Sequence, residues 1–577
     1  MYDVFFDGER LNVKLNKKIY KRIIKIAEEA QYFDYAHEVG IMSLPPTKRI
    51  ARILYNMNLD FDASAKIFLN KIAQVKIDDS SIDFNIMAQF ALLKPLTLRK
   101  YQESGVYWML KYNKHFILGD EMGLGKSVQI GAYLFFKNVF PALIICPASL
   151  KLNWEKEIYT WTKKKSIVLE GLTPYPIQGL LDEFPVVILN YDILGRKDKL
   201  EVEYEKERIK QAKKLKLPYK KKIIHPSGWV DILKQIPFKD IICDECQFIG
   251  EMETARTQCV IDICKEIKSA RRIFLSGTPY TSATRQFYPV LHLTDNRTFN
   301  NEWRYKMQFC DPIKTRFGWE FRGLSDGDVL HKLISKIMLR RLKADVLDEL
   351  PPKIKSIVPM KPDKKLLQKY YNDEMVMLGG KIINEKQTYQ DLKKMTYYIK
   401  INSCIQWIKD YLEVNNKLVV FVYHRDSFHN LMKQFEGIVV GINGETPSNK
   451  RQGIVDQFQN NKKIKLAVLQ IRSGGVGITL TAASAVAFVE LGDTATEHEQ
   501  AEDRIHRIGQ KADKIIAYYL IITNTIDEDV IENVRIGYAN QKQVLDGVEN
   551  AEFINDTPDE FAKGVLKARK NKIYNNK

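Results

Sequence analysis

Two series of short β-rich runs, each run followed by a helical pattern, constrain this sequence more than any other feature. The first series contains "HFIL" (115–118), "ALIIC" (142–146), "VVILN" (186–190), "DIIC" (240–243) and "RIFLS" (272–276). The second contains "LVVFVY" (418–423), "GIVVGI" (437–442), "LAVLQ" (466–470), "AVAFVE" (485–490) and "IIAYYLI" (515–521). Apolar runs of this length, alternating with helices, read as parallel strands buried on both faces. An α/β fold with two parallel-sheet lobes is expected. The 577 residues also exceed what one hydrophobic core holds. The expected division is a mainly helical region of unknown role over 1–90, a first lobe with helical insertions over 91–349, and an inter-lobe linker over 350–365. A second lobe, with a helical protrusion at its start, spans 366–548, and a basic tail spans 549–577. The prolines of "LPPK" (Leu350 to Lys353) disfavour helix and stiffen the connection.

A net charge of +18 makes a polyanion a plausible partner, although a lysine-rich solvated surface gives the same number. The runs "KKLKLPYKKK" (213–222) and "KGVLKARKNK" (563–572) are open to both readings. Seven scattered cysteines fit free thiols in a reducing compartment. The N-terminus "MYDVFFDGER" is acidic where a secretory signal is basic, and no apolar run approaches the 18 or so residues of a membrane span. A soluble intracellular monomer without a membrane partner is expected, in the cytoplasm or nucleoid of a prokaryote or virus, or in the nucleus of a eukaryote.

"LGDEMGLGKSVQI" (Leu118 to Ile130) follows the first strand and opens a helix, the setting in which a glycine-rich loop wraps a polyphosphate. Gly123 and Gly125 leave room for phosphates, Lys126 reaches the β and γ oxygens, and Ser127 ligates magnesium. Asp120 stands where the strict pattern has its first glycine, so an ordinary strand-to-helix turn is the competing reading. "IICDECQ" (Ile241 to Gln247) poses its own choice. Its Cys-x-x-Cys suggests a thiol or zinc site, but the other cysteines supply no second pair at metal spacing. A strand ending in Asp244-Glu245, about 120 residues after a phosphate loop, places one carboxylate on magnesium and the other near an attacking water. The acidic pair then carries the chemistry, and the cysteines are packing residues.

The segments "LRKYQESGVYWM" (98–109), "DEMGLGKS", "IICPASLKLNW" (144–154), "LNYDIL" (189–194), "DECQ", "LSGTP" (275–279), "MLRRLKADVLDELPPK" (338–353), "RSGGVGITLTAAS" (472–484) and "EQAEDRIHRIGQ" (499–510) stand in this order. Over roughly residues 91–548 the chain resembles the Swi/Snf-type helicase-like ATPases, closest in layout to the annealing-helicase and fork-remodelling branch. The resemblance implies two RecA-like lobes with ATP and Mg2+ between them. It implies nucleotide binding by Gln102, Asp120, Met122, Gly123, Leu124, Gly125, Lys126, Ser127, Val128 and Gln500. Asp244 joins Ser127 on the metal, and Lys126, Asp244, Glu245, Arg504 and Arg507 are the implied catalytic set. In "QAEDRIHRIGQ" the spacings of four and three put Gln500, Arg504 and Arg507 on one helix face. The implied nucleic-acid contacts are Ser149, Lys151, Tyr191, Tyr423, His424, Arg472 and Ser473, addressed to phosphates and sugars.

The function implied is a DNA-stimulated ATPase that moves on duplex or branched DNA, reannealing strands, remodelling forks or displacing protein. A strand-separating DNA or RNA helicase and a nucleotide-gated DNA-binding switch with negligible turnover are the alternatives. Gln247, where the family usually has histidine, and "ELGDTATEH" (490–498), where many members carry Trp-Asn-Pro, put the coupling of hydrolysis to movement in question. The basic stretch 196–236 and residues 285–400 are expected to form helical protrusions that grip duplex DNA.

Overall fold

In a computed structural model, the described residues are 4–6, 11–14, 34–36, 41–44 and 96–553, except 113, 216–225, 282, 317, 322, 380–384 and 472–477. They belong to two compact units, one of residues 1–112 with 341–349, the other of 113–340 with 350–577.

In the smaller unit, the strands Val4–Phe6, Leu11–Lys14, Ile41–Leu44 and Asp34–Ala36 form an antiparallel sheet in that spatial order. This corrects the helical expectation for these residues of 1–90. Val4 pairs with Val13 and Phe6 with Leu11. The same unit holds the helix Lys100–Lys111, where the Arg341 guanidinium donates to the Tyr101 carbonyl and Arg99 pairs with Glu349.

The larger unit contains both expected sheets. The first has seven strands in the order Met338–Leu339, Phe116–Leu118, Arg271–Leu275, Asp240–Asp244, Ala142–Cys146, Val186–Asn190 and Ser166–Val168, every pair parallel. The second has six, in the order Lys353–Pro359, Ile515–Ile521, Ala485–Phe488, Leu418–Val422, Leu466–Gln470 and Val439–Ile442, again all parallel. Each sheet has its own buried core. The chain is therefore an α/β protein with two parallel-sheet lobes. The ten expected strands are present, most within a residue or two of their expected ends. The linker expected over 350–365 instead contributes Lys353–Pro359 as an edge strand of the second sheet, directly after Pro351 and Pro352. Residues 285–400 hold helices, including Lys364–Gly379 and the start of Glu385–Val414, and also a hairpin of Pro312–Thr315 with Gly318–Phe321.

The long helix Ile526–Asp546 follows the last strand of the second sheet, but its final turns dock on the first lobe. Gln541 Nε2 donates to the carbonyls of Tyr280 (3.0 Å) and Thr281 (3.2 Å), and the Val544 carbonyl lies 2.9 Å from His331 Nδ1. Val544 and Leu545 are buried within the core beneath the first sheet.

Candidate functional site

In open parallel sheets, ligands bind beyond the carboxyl ends of the strands, and the candidate residues gather there. Past Leu118 the chain turns through Gly123 (φ 84°) and Gly125 (φ 72°), left-handed conformations that a side chain rarely adopts, and then starts the helix Lys126–Lys137. The first-turn N–H groups of that helix face an anion site by construction. Asp120, at the departure from the strict motif, is fully buried and accepts from Gln129 Nε2 at 2.9 Å, which ties the loop to its own helix. Leu124 is buried beneath the loop, Met122 lies against Gly277, and Ser127 and Val128 stand half-buried on the first helical turn. The Lys126 ammonium donates to the Asp120 carbonyl at 2.8 Å. Burial pushes its pKa down, against the pull of Glu245, Asp120 and Asp244.

The acidic pair ends its strand with a sharp change of direction. Glu245 is left-handed (φ 49°), so the two carboxylates leave the strand on different headings. Asp244 accepts from the indole of Trp154 (2.8 Å) and from the Glu245 N–H (2.9 Å). Burial and the Glu245 charge raise its pKa to about 7. Glu245 accepts from Gln247 Nε2 at 2.8 Å, Ser276 Oγ donates to Gln247 Oε1 at 2.7 Å, and the Thr278 N–H donates to Ser276 Oγ at 3.0 Å. The unusual Gln247 thus acts as a two-sided relay, donor to the carboxylate and acceptor from the Ser-Gly-Thr-Pro turn. Cys243 and Cys246 are buried in the core, where burial holds both thiols well above their ordinary pKa.

Arg504 and Arg507 come from the second lobe, but not from a shared helix face. The helix Ala495–Glu502 ends before them, and only Gln500, half-buried, lies on it. At its last residue, Glu502 is claimed by Lys353 (2.9 Å), Lys355 (3.5 Å) and the Tyr519 hydroxyl (2.5 Å) of neighbouring strands. Both arginines lie on the turns that follow. Arg507 donates to the Asp503 carbonyl (2.9 Å) and Thr479 Oγ1 (3.0 Å). Arg504 is 5% exposed, and its Nε has no hydrogen-bond partner among the described residues. Burial and then Arg507 push its pKa down to about 9, while Glu245 and Asp503 pull the other way. Burial likewise lowers Arg507, opposed by Asp503 and Glu245. A buried and a half-buried guanidinium within electrostatic reach of Glu245 leave a place that an anion would satisfy.

The expected nucleic-acid contacts fare differently. Tyr191 is 1% exposed, its hydroxyl donates to the Asp244 carbonyl (2.7 Å) and its ring stacks on Phe248, so it supports the acidic strand and is corrected as a surface contact. Lys151 turns inward to the Leu169 carbonyl (3.0 Å), and Ser149 is half-exposed in the turn Ala148–Leu150. The Tyr423 hydroxyl donates to Asp493 (2.7 Å), and His424 Nδ1 lies 2.6 Å from Glu490. Asp493, within the divergent "ELGDTATEH", also accepts from Lys393 (2.5 Å) and Tyr389 (3.1 Å) and so fastens the helix Glu385–Val414 to the lobe. Arg472 and Ser473 lie outside the described residues. Gln102 belongs to the smaller unit, where it is buried and its Oε1 accepts from the Arg99 N–H at 2.9 Å. Arg340, which motif reading passed over, joins the last helix to the phosphate loop, and only its place in "MLRRLK" hinted at it.

Comparison with known proteins assigns the chain to a family. The model of the SNF2-related domain matches residues 101–417, more than half the chain. The chain belongs to the SNF2-related family. The helicase conserved C-terminal domain matches residues 400–509 of this SNF2-related chain. A Caenorhabditis elegans homolog of SWI/SNF-related matrix-associated actin-dependent regulator of chromatin subfamily A-like protein 1 is 30% identical over 490 residues, 82% of this chain and 64% of the relative. The human DNA annealing helicase and endonuclease ZRANB3 is 30% identical over 449 residues, 74% of this chain and 39% of the relative. The chain thus spans less than two thirds of either. The Sulfolobus solfataricus SWI2/SNF2 ATPase core in complex with dsDNA aligns over 76% of this chain and 90% of its own, at 24% identity and a TM-score of 0.35.

Proposed function

We propose that this chain is an ATP-dependent DNA translocase that hydrolyses ATP when stimulated by duplex or branched DNA and remodels that DNA by reannealing strands, remodelling forks or displacing protein. One arrangement carries the reading: Arg504 of the second lobe, buried with its Nε unpartnered among the described residues, and half-buried Arg507 feel the charge of Glu245 of the first, which also acts on Lys126 at the end of the glycine turn. Such a site is built for a polyphosphate whose charge peaks during transfer. Membership of the SNF2-related family and the annealing-helicase relative support DNA as the polymer.

In this reading the glycine turn and helix N-terminus cradle the phosphates, and Lys126 leaves the Asp120 carbonyl for the β and γ oxygens. Ser127 and Asp244 are the residues that fit magnesium, which when bound neutralises phosphate charge. Glu245, held by Gln247, orients the attacking water. Arg504 and Arg507 stabilise the transferred group, and a shift of the second lobe reaches the Ser-Gly-Thr-Pro turn through the helix Ile526–Asp546, which contacts Tyr280 and Thr281 directly and Gly277 by way of Arg340. The domain division proposed is two catalytic lobes over 91–349 and 366–548, with the strand Lys353–Pro359 as the connection. The protein is proposed to act as a monomer where its host keeps DNA.

The test measures ATPase activity with single-stranded, duplex and forked DNA and with RNA, for the parent and for Lys126→Ala and Arg507→Ala. Duplex or forked DNA should stimulate most. Lys126→Ala should weaken ATP binding itself. Arg507→Ala should bind ATP but lose stimulated turnover by about a thousandfold. Near-parental turnover in Arg507→Ala, or stimulation by RNA alone, would overturn the reading.

A further inference from the structure

The helix Glu302–Phe309 and the hairpin Pro312–Thr315 with Gly318–Phe321 form a small outgrowth of the first lobe that the ATP site does not use. One side of the helix is anchored, with Tyr305 and Phe309 buried in the first-lobe core and the Tyr305 hydroxyl donating to the Thr284 carbonyl at 2.9 Å. The other side carries Trp303, 53% exposed, and the hairpin presents Trp319, 40% exposed. Cross-strand pairing sets Lys314 opposite Trp319 and Pro312 opposite Phe321, so these four share one hairpin face. Trp303 packs edge-on to Trp319 (centroids 6.3 Å, 85°) and to Phe321 (5.7 Å, 88°), which holds the indoles in a fixed relation while leaving ring surface in solvent.

Charge distinguishes this patch from an ordinary exposed apolar spot. Arg304, Lys314 and Arg316 are exposed and form no ion pair among the described residues. Glu302 is neutralised by Lys306 at 2.5 Å, Asp311 is turned against Gly323, and Glu320 pairs across from Ile313 on the opposite hairpin face. Exposed rings flanked by cations that form no ion pair among the described residues suit a ligand with flat apolar faces strung on a polyanion. Base stacking on aromatic side chains beside a basic track is how single strands are held without sequence preference.

We propose that Trp303 and Trp319 are a stacking platform for unpaired bases of single-stranded DNA, with Arg304, Lys314 and Arg316 on its phosphates. The proposal deepens the DNA-directed reading above and rests on it. It gives the molecule a contact for the unpaired arm of a fork, separate from the residues that turn over ATP.

The experiment uses the full chain with Trp303→Ala/Trp319→Ala together, and Trp303→Phe/Trp319→Phe as the conservative pair. Anisotropy is read with labelled oligothymidylate, a blunt duplex and a fork with one single-stranded arm, and ATPase is read with blunt duplex. The alanine pair should bind oligothymidylate and the fork about tenfold or more weakly, with duplex affinity and duplex-stimulated turnover within about twofold of the parent, and the phenylalanine pair should keep most of the single-strand affinity. The thermal midpoint should stay near parental because both rings are at the surface. Parental oligothymidylate binding by the alanine pair would overturn the platform and leave the indoles to a protein partner. An equal loss on duplex would overturn it as well. Failure of the parent to show any DNA-stimulated ATPase would instead overturn the translocase reading.

Discussion

Arg340 and Asp546, 206 positions apart, form a buried ion pair through Arg340 Nε at 2.5 Å, and the same guanidinium donates to the carbonyls of Gly119 (2.7 Å) and Gly277 (2.8 Å). One side chain therefore touches the start of the phosphate loop, the Ser-Gly-Thr-Pro turn and the last turn of the final helix. Arg340→Met should cost about 3–5 kcal/mol, because Asp546 is left buried with Lys542 alone and two carbonyls lose their donor. Turnover should fall with it, and Arg340→Lys should not rescue, since an ammonium lacks the planar fork that serves acid and carbonyls together. Calorimetry and stimulated ATPase check this; a parental melting midpoint for Arg340→Met would show that the pair holds nothing together.

Glu245 and Gln247 predict a graded series. Glu245→Gln should keep nucleotide binding and lose hydrolysis by about a hundredfold or more, as an amide cannot take up a proton from water. Gln247→Ala should cost less, about tenfold, because the carboxylate stays but loses its tether to Ser276. Gln247→His tests whether an imidazole can replace the two-sided amide. Turnover of Glu245→Gln within a few-fold of the parent would remove it from the chemistry.

Acid should loosen the second lobe in a defined window. Burial raises the Glu502 carboxyl, but Lys353 and Lys355 outweigh burial and hold it at about 2, below its ordinary 4.5. Its stabilisation, roughly 3 kcal/mol for such a shift, is complete above pH 4.5 and is lost as pH falls toward 2. His498 is buried and held neutral down to about 4, so the unfolded chain gains a proton first and stability starts to fall below about pH 6.5. Melting midpoints from pH 7 to 3 should show both phases, and Glu502→Gln should be less stable at pH 7 and flatter below 4.5. Parallel curves for the variant and the parent would assign the acid sensitivity elsewhere.

All seven cysteines are free and buried, and burial pushes the thiols of Cys259, Cys310 and Cys404 up to about 12. A thiol reagent should therefore label none in the folded protein and seven in denaturant. A zinc-selective chelator in excess magnesium should leave ATPase activity unchanged. Rapid labelling of Cys243 or Cys246 in the native state would reopen the metal reading of Cys-x-x-Cys.

Strands such as Ala142–Cys146 and Val186–Asn190 are legible because they are buried on both faces, so composition alone marks them. The phosphate loop was legible through glycines whose positive φ the turn requires. What escaped depends on partners far away in the chain. The helix before Arg504 stops at Glu502, whose partners Lys353, Lys355 and Tyr519 lie on distant strands, and no local spacing records either fact. Lys353–Pro359 looked like a linker because its partner strand, Ile515–Ile521, lies some 160 residues on. Tyr191 and Lys151 sit in the expected loops, but burial turned both inward.

Val544 and Leu545 belong by position to the end of the second lobe and by packing to the core of the first. A ribosome delivers them about 200 residues after Arg340, a delay of roughly 10–40 s at about 5–20 residues per second. Until they emerge, the first lobe has its sheet but not the plug that closes its core, and Asp546 has not yet met Arg340. The half synthesised first is thus the half finished last, and a chaperone that shields exposed apolar surface would find its client there during that interval.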